Sequence, residues 1–138
     1  MTDCIFCKIR DGEVPSMKIY EDARTMVIMD INPLTSGHCL VLTKPHAATI
    51  WDADPEDLNA AMATAKKVAT ALRQAVKPDG LNLLQANGAA AFQSVPHFHL
   101  HLIPRWNNDG KGFDWKPVPG IRNQIMKNGE RIRMLIAM

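Results

Sequence analysis

The period of the apolar positions changes along this chain, and the changes mark out its elements. Residues 17–21 and 25–31 carry short apolar runs of strand length, separated by the polar Asp22-Ala23-Arg24. Asn32-Pro33-Leu34-Thr35-Ser36-Gly37 is turn chemistry, because proline fixes φ and glycine admits conformations that other residues resist. A third strand is expected over 38–43, ended by Lys44-Pro45. The spacing then lengthens. Leu58, Met62, Ala65, Val68 or Ala69, Leu72 and Val76 recur at steps of three and four, giving one apolar face of a helix. Asp54 can cap that helix, Pro55 suits its first position, and Glu56 and Asp57 complement its dipole. Lys77-Pro78-Asp79-Gly80 stops it. Residues 81–86 and 96–103 read as two further strands around a small-residue loop over 87–93. A short helical opening over 4–10 closes at Asp11-Gly12, and 120–138 has helical character that Gly129 interrupts. The pattern predicts an α+β fold with a mainly antiparallel five-stranded sheet, one long helix and a short N-terminal helix. No linker divides it, so residues 1–138 are expected to form a single domain.

Composition narrows the function classes. With 46% hydrophobic and 22% charged residues the chain can bury a core, and a net charge of +2 gives little reason to expect nucleic acid or a membrane as partner. No apolar run approaches the roughly 20 residues of a membrane span. Three cysteines and no signal-peptide pattern suggest thiols or metal ligands rather than a disulfide framework, and a cytoplasmic location.

The distinctive chemistry is His97-Phe98-His99-Leu100-His101. Strand side chains change face at every residue, so the three imidazoles form one row, spanning about 13 Å, with the apolar set turned toward the helix. Such a row could hold a metal or face an anion. The surroundings favour the anion: Asn87 to Ser94 is a loop of small residues with neutral donors, and no carboxylate lies between Gln85 and Ile103.

The run from Gln93 to Arg105 resembles the histidine-triad (HIT) family, in which three alternate histidines are each followed by an apolar residue. Cys4-Ile5-Phe6-Cys7-Lys8-Ile9, Asp30-Ile31-Asn32-Pro33 and Gly37-His38-Cys39-Leu40-Val41 agree with it in order, so the resemblance covers residues 4–105 and points to the bacterial Hint-like branch. It implies a homodimer with joined sheets and a nucleotidyl hydrolase or transferase acting on adenosine phosphoramidates or dinucleoside polyphosphates. His99 would attack the α-phosphorus, with His101 and His97 completing the catalytic triad. Gln93 and Ser94 would supply donors to the phosphate, Asp30 would hold the ribose, and Phe6, Ile9, Ile28 and Ile31 would surround a purine. No metal is required for that chemistry. Asn87 is also expected to contact the nucleotide, though two positions depart from the pattern: Phe92 stands where many relatives have glycine, and Asn87 lies one place after the position of a ligand-contacting asparagine.

Cys4 and Cys7, with His38 and His97, make a sound tetrahedral zinc set, and some bacterial relatives carry a structural zinc at the matching positions. Cys39, one strand residue from His38, is expected to be a core thiol, and His46, in a Pro-bounded turn, to have a structural rather than a catalytic role. Two rivals stay open: a nucleotide-binding regulatory module without meaningful catalysis, and a zinc-binding structural module in which the triad serves metal alone. Trp106 and Phe113-Asp114-Trp115 are candidates for contacting the leaving group.

Overall fold

The computed structural model describes residues 3–112 and 115–138. Its elements run α1 (Ile5–Arg10), β1 (Lys18–Glu21), β2 (Thr25–Met29), β3 (Cys39–Thr43), α2 (Pro55–Val76), β4 (Gly80–Leu84), a 3-10 turn (Ala89–Ala91), β5 (His99–Arg105) and α3 (Arg122–Ile136). The strands form one antiparallel sheet in the order β1-β2-β3-β5-β4. This is the expected α+β architecture.

The three central strands are covered on both faces. On one face Val27, Cys39, Val41, Phe98, Leu100 and Leu102 pack against Ala61, Ala65, Val68 and Leu72 of α2. On the other, Met26, Ile28, Leu40 and Leu42 pack against Cys4, Phe6 and Cys7 around α1. Two-sided burial makes β2 and β3 nearly continuous apolar runs rather than alternating ones. Cys39 is the expected core thiol, fully buried, and burial pushes its pKa up to about 11.

The helix α2 begins as expected, with the Asp54 carboxylate accepting the Glu56 N–H at 2.9 Å. Its buried face differs from the expected stripe. Asp57, Ala61, Thr64, Ala65, Val68 and Leu72 are buried, whereas Met62 is half exposed and lines a groove with Leu81 and Leu83. The small residues allow close packing on the sheet, and the polar ones are paired: Asp57 with Arg24 at 2.8 Å, Thr64 with Thr25 at 2.8 Å.

Strand β5 starts at His99 rather than 96, because Pro96 has no N–H and the Phe98 N–H bonds to the Ala47 carbonyl at 2.7 Å. Gly129 does not interrupt α3, whose residues are all exposed. Among the described residues, no helix is long and apolar enough to cross a membrane. Phe113 and Asp114 lie outside the described residues, and Trp115 is exposed.

Candidate active site and metal cluster

The even-numbered apolar residues of β5 turn to α2, so its odd histidines turn to the α1 face. There His99 and His101 border a cavity of about 330 Å³ together with Phe6, Ile9, Ile28, Asp30, Ile31 and Ser94. Eight of the ten residues expected to bind nucleotide thus line one cavity. Ile31 does so from its rim, being 87% exposed. The cavity is enclosed by aliphatic and aromatic side chains with a carboxylate and two imidazoles at its border, a composition suited to a base, a ribose and a phosphate.

Asn87 and Gln93 are not among that lining. The Asn87 side-chain oxygen accepts the Ile50 N–H at 2.7 Å, and its amide is paired with Gln85. Gln93 ties its own loop together, accepting from the Gly88 N–H at 2.8 Å and donating to the Ala48 carbonyl at 2.6 Å. The N–H groups of Ala91, Phe92 and Gln93 also bond within the loop. Phe92 adopts a left-handed φ of 65°, which accounts for the ease with which glycine serves at this position.

The three triad rings have different partners. His99 Nδ1 lies 2.6 Å from the His97 carbonyl oxygen. A carbonyl can only accept, so Nδ1 carries the proton and the neutral ring keeps its Nε2 lone pair. Burial lowers the His99 pKa, which the bond to His97 and the charge of Asp30 only partly oppose. His101 Nδ1 is 2.9 Å from His38 Nε2, and burial, with smaller contributions from His99 and His38, lowers its pKa to about 4. The Phe6 ring stands edge-on to His99, 4.9 Å between centroids.

His97 points away from the cavity. Its Nε2 donates to the Thr43 carbonyl at 2.6 Å, which leaves the Nδ1 lone pair facing Cys4 Sγ at 3.3 Å, Cys7 Sγ at 3.6 Å and His46 Nδ1 at 3.2 Å. His46 Nδ1 is also 3.4 Å from Cys7 Sγ. The fourth member of this cluster is therefore His46, not His38 as expected. Strand register explains the exchange. In the β3–β5 pairing, partner numbers such as Leu40 with His101 and Leu42 with His99 sum to 141, so position 38 falls opposite 103, six residues along from His97. The turn after Lys44-Pro45 instead brings His46 beside it. The signal was present in the sequence as a histidine just past the end of the neighbouring antiparallel strand.

The spacing fits a metal. Tetrahedral zinc with nitrogens at about 2.05 Å and sulfurs at about 2.3 Å separates two nitrogens by about 3.3 Å and nitrogen from sulfur by about 3.6 Å. The separations in this cluster fall close to both. Burial raises the Cys7 pKa, and the neighbouring Cys4 adds to the rise, so a cation would have to displace the thiol proton.

An antiparallel sheet carrying alternate histidines into a nucleotide-sized cavity defines a class, and comparison with known proteins agrees with it. A HIT domain is matched over residues 11–108. The chain belongs to the HIT family. It is 38% identical over 130 residues to the adenosine 5'-monophosphoramidase hnt1 of Schizosaccharomyces pombe, covering 94% of this chain and 95% of that one. With the adenylylsulfatase HINT3 of Arabidopsis thaliana it shares 42% identity over 107 residues, 78% of this chain and 54% of that one. Among solved structures, SMU.412c of Streptococcus mutans superposes with a TM-score of 0.93 at 35% identity, covering 99% of this chain and 87% of that one. A zinc-bound histidine triad protein of Mycobacterium smegmatis gives 0.77 at 40% identity, covering 85% of each chain.

Proposed function

We propose that this protein is a nucleotide hydrolase that cleaves at the α-phosphate of adenosine phosphoramidates or dinucleoside polyphosphates through a nucleotidyl-histidine intermediate. The observation that carries the proposal is the His99 ring: its Nδ1 proton is committed to the His97 carbonyl, so a bare Nε2 remains on a ring that borders the cavity. His99 Nε2 attacks the α-phosphorus as the bond from phosphorus to the leaving nitrogen or oxygen breaks. His101 and Ser94 hold phosphate oxygens, and His101 supplies a proton to the departing group. Water then cleaves the phosphorus–Nε2 bond, its hydroxyl going to phosphorus and its proton back to His101, which releases the nucleoside monophosphate and restores both rings. Positioning and charge stabilisation do most of the catalysis in such loose transition states. Asp30 accepts from the ribose hydroxyls, and Phe6, Ile9, Ile28 and Ile31 enclose a purine.

Cys4, Cys7, His46 and His97 would hold a structural zinc that ties the start of α1 to the end of β3. The adjacent rings His99 and His101 are not part of that cluster, which favours separate catalytic and structural roles over a triad that serves metal alone. The edge strand β4, with Leu81, Leu83 and Leu84 partly exposed, is the natural seam of a homodimer. Sedimentation would read two chains per particle.

A substrate panel tests the activity: adenosine phosphoramidate, diadenosine polyphosphates and mononucleotide controls. Turnover is expected with at least one of the first two and should fall roughly a thousandfold or more in His99→Ala, with AMP binding retained. Unchanged turnover in that variant would refute the assigned nucleophile.

A further inference from the structure

The metal cluster is open on one side. Cys4 and His46 line a second cavity, of about 300 Å³, together with Ile5, Ser94 and Val95. Ile5, Ser94 and Val95 also border the nucleotide cavity, so these three residues stand between the two. Cys4 is therefore approachable from the second cavity, whereas Cys7 is not among its lining residues. The two thiols are already placed to meet. Cys4 caps α1 with an extended backbone, φ −78° and ψ 115°, and its Sγ accepts the Cys7 N–H at 3.4 Å. Both sulfurs, with the ring nitrogens of His46 and His97, lie within 4.8 Å of one another. Inside a helix, residues three apart keep their Cβ atoms about 5–6 Å apart, beyond the roughly 3.8 Å of a disulfide. A capping residue lies outside the regular helix and can turn toward its partner. Cys39 is no alternative, being buried on the opposite face of the sheet against α2.

We propose that Cys4 and Cys7 form an oxidation site, in which a hydroperoxide joins them as a disulfide and takes both sulfur donors from the cluster. Cys4 Sγ attacks the nearer peroxide oxygen, the O–O bond breaks, and the farther oxygen departs with a proton as water or an alcohol. Cys7 Sγ then attacks the Cys4 sulfenic acid and expels its oxygen as water. The two thiols lose two electrons and two protons, and the peroxide gains them. Where zinc holds the sulfurs as thiolates, solvent supplies the protons. The cluster then keeps only His46 and His97, too few for a tetrahedral structural site.

The consequence for the neighbouring cavity rests on the nucleotide-binding reading given above. Phe6 lies between the two cysteines in sequence, and its ring stands edge-on to His97 at 5.9 Å and to His99 at 4.9 Å between centroids. Ile5, Phe6 and Ile9 of α1 border the nucleotide cavity, and Cys4, Phe6 and Cys7 share one buried cluster with Ile28, another residue of its wall. Closing the disulfide moves the capping turn and removes the tie from α1 to the sheet. The α1 wall of the cavity loosens, and nucleotide binds more weakly. By reciprocity a bound nucleotide, which favours the closed wall, disfavours the disulfide.

The full-length protein, loaded with zinc, is treated with a small excess of hydrogen peroxide at neutral pH. Intact-mass measurement and non-reducing peptide mapping should show the loss of two hydrogens as a Cys4–Cys7 bond, with stoichiometric release of zinc to a colorimetric chelator. Dithiothreitol and added zinc should restore the original mass and metal content. AMP affinity, read by calorimetry, should fall roughly fivefold or more in the oxidised form. Cys7→Ser, which lacks the second thiol, should leave Cys4 as a sulfenic acid that dimedone captures. In Cys4→Ser the remaining Cys7 should react roughly tenfold more slowly. Zinc retained with both cysteines still reduced, or a disulfide that involves Cys39 or joins two chains, would overturn the proposal. A Cys4–Cys7 disulfide with unchanged AMP affinity would overturn its coupling to the cavity. Should the reduced protein bind no AMP, the nucleotide reading falls, while mass and zinc content still decide the oxidation site.

Discussion

Five imidazoles crowd together on one side of the sheet, and their neighbours decide what each can do. Carbonyl oxygens at 2.6 Å accept from His97 Nε2–H and His99 Nδ1–H, leaving the other nitrogen of each as a lone pair. The lone pair of His97 faces sulfur, and His99 is a border residue of the cavity. Burial lowers the pKa of His97 to about 4, as it does for His101, against an ordinary value of 6.5. The unfolded chain therefore binds more protons than the folded one as pH falls below 6.5, and these rings contribute stability that is present above that value and lost toward pH 4. Urea midpoints should accordingly decline between about pH 6.5 and pH 4 in protein stripped of metal, and a flat profile would contradict the buried neutral rings. Turnover has the same sign. Because the His99 pKa is lowered, kcat should not halve at the ordinary imidazole value but at a lower pH, measured with a non-ionising leaving group.

At the scale of elements, two tight backbone positions flank the cavity chemistry and respond to substitution in opposite directions. Gly37→Ala meets both a left-handed φ and a close Pro104 contact, and should destabilise by about 1–2 kcal/mol. Phe92 holds a φ of 65° while 91% exposed, so Phe92→Gly gives up little packing, relieves the strain and should stabilise by about 0.5–1 kcal/mol. Urea denaturation would check both, and equal signs would contradict this account. The strands and the start of α2 were legible because alternation, turn residues and Asp54-Pro55 are local signals. The buried face of α2 was less so: Ala61, Thr64 and Asp57 are buried by contacts with Thr25, Arg24 and the sheet, which hydrophobicity alone does not anticipate. The place of His46 in the metal cluster was missed for a related reason. Its role depends on strand register, and the Pro-bounded turn around it looks the same whether or not His97 lies alongside.

Across the whole molecule, the cluster of Cys4, Cys7, His46 and His97 joins the N-terminal helix to strands β3 and β5, while the cavity draws on α1, β2 and β5. Metal bound there would hold the Phe6 wall of the cavity in place. A double Cys4→Ser and Cys7→Ser variant should lose bound zinc and melt at least about 5 °C lower, yet retain measurable turnover well below its melting point. Loss of all activity in a variant that remains folded would mean that metal takes part in the reaction. The motif showed the histidine row and the Asp30 side of the cavity in the sequence, whereas Gln93 and Asn87 turned out to brace loops, because loop hydrogen bonding is set by the surrounding backbone.

The central claim is that His99 becomes covalently bonded to a nucleotide. Rapid-quench single turnover with adenosine phosphoramidate, followed by intact-mass measurement and fragmentation under conditions that preserve phosphohistidine, tests it most directly. A transient adenylyl adduct on His99, absent from His99→Ala, is the predicted result. Product formation with no adduct at any time, or an adduct on another residue, would contradict it.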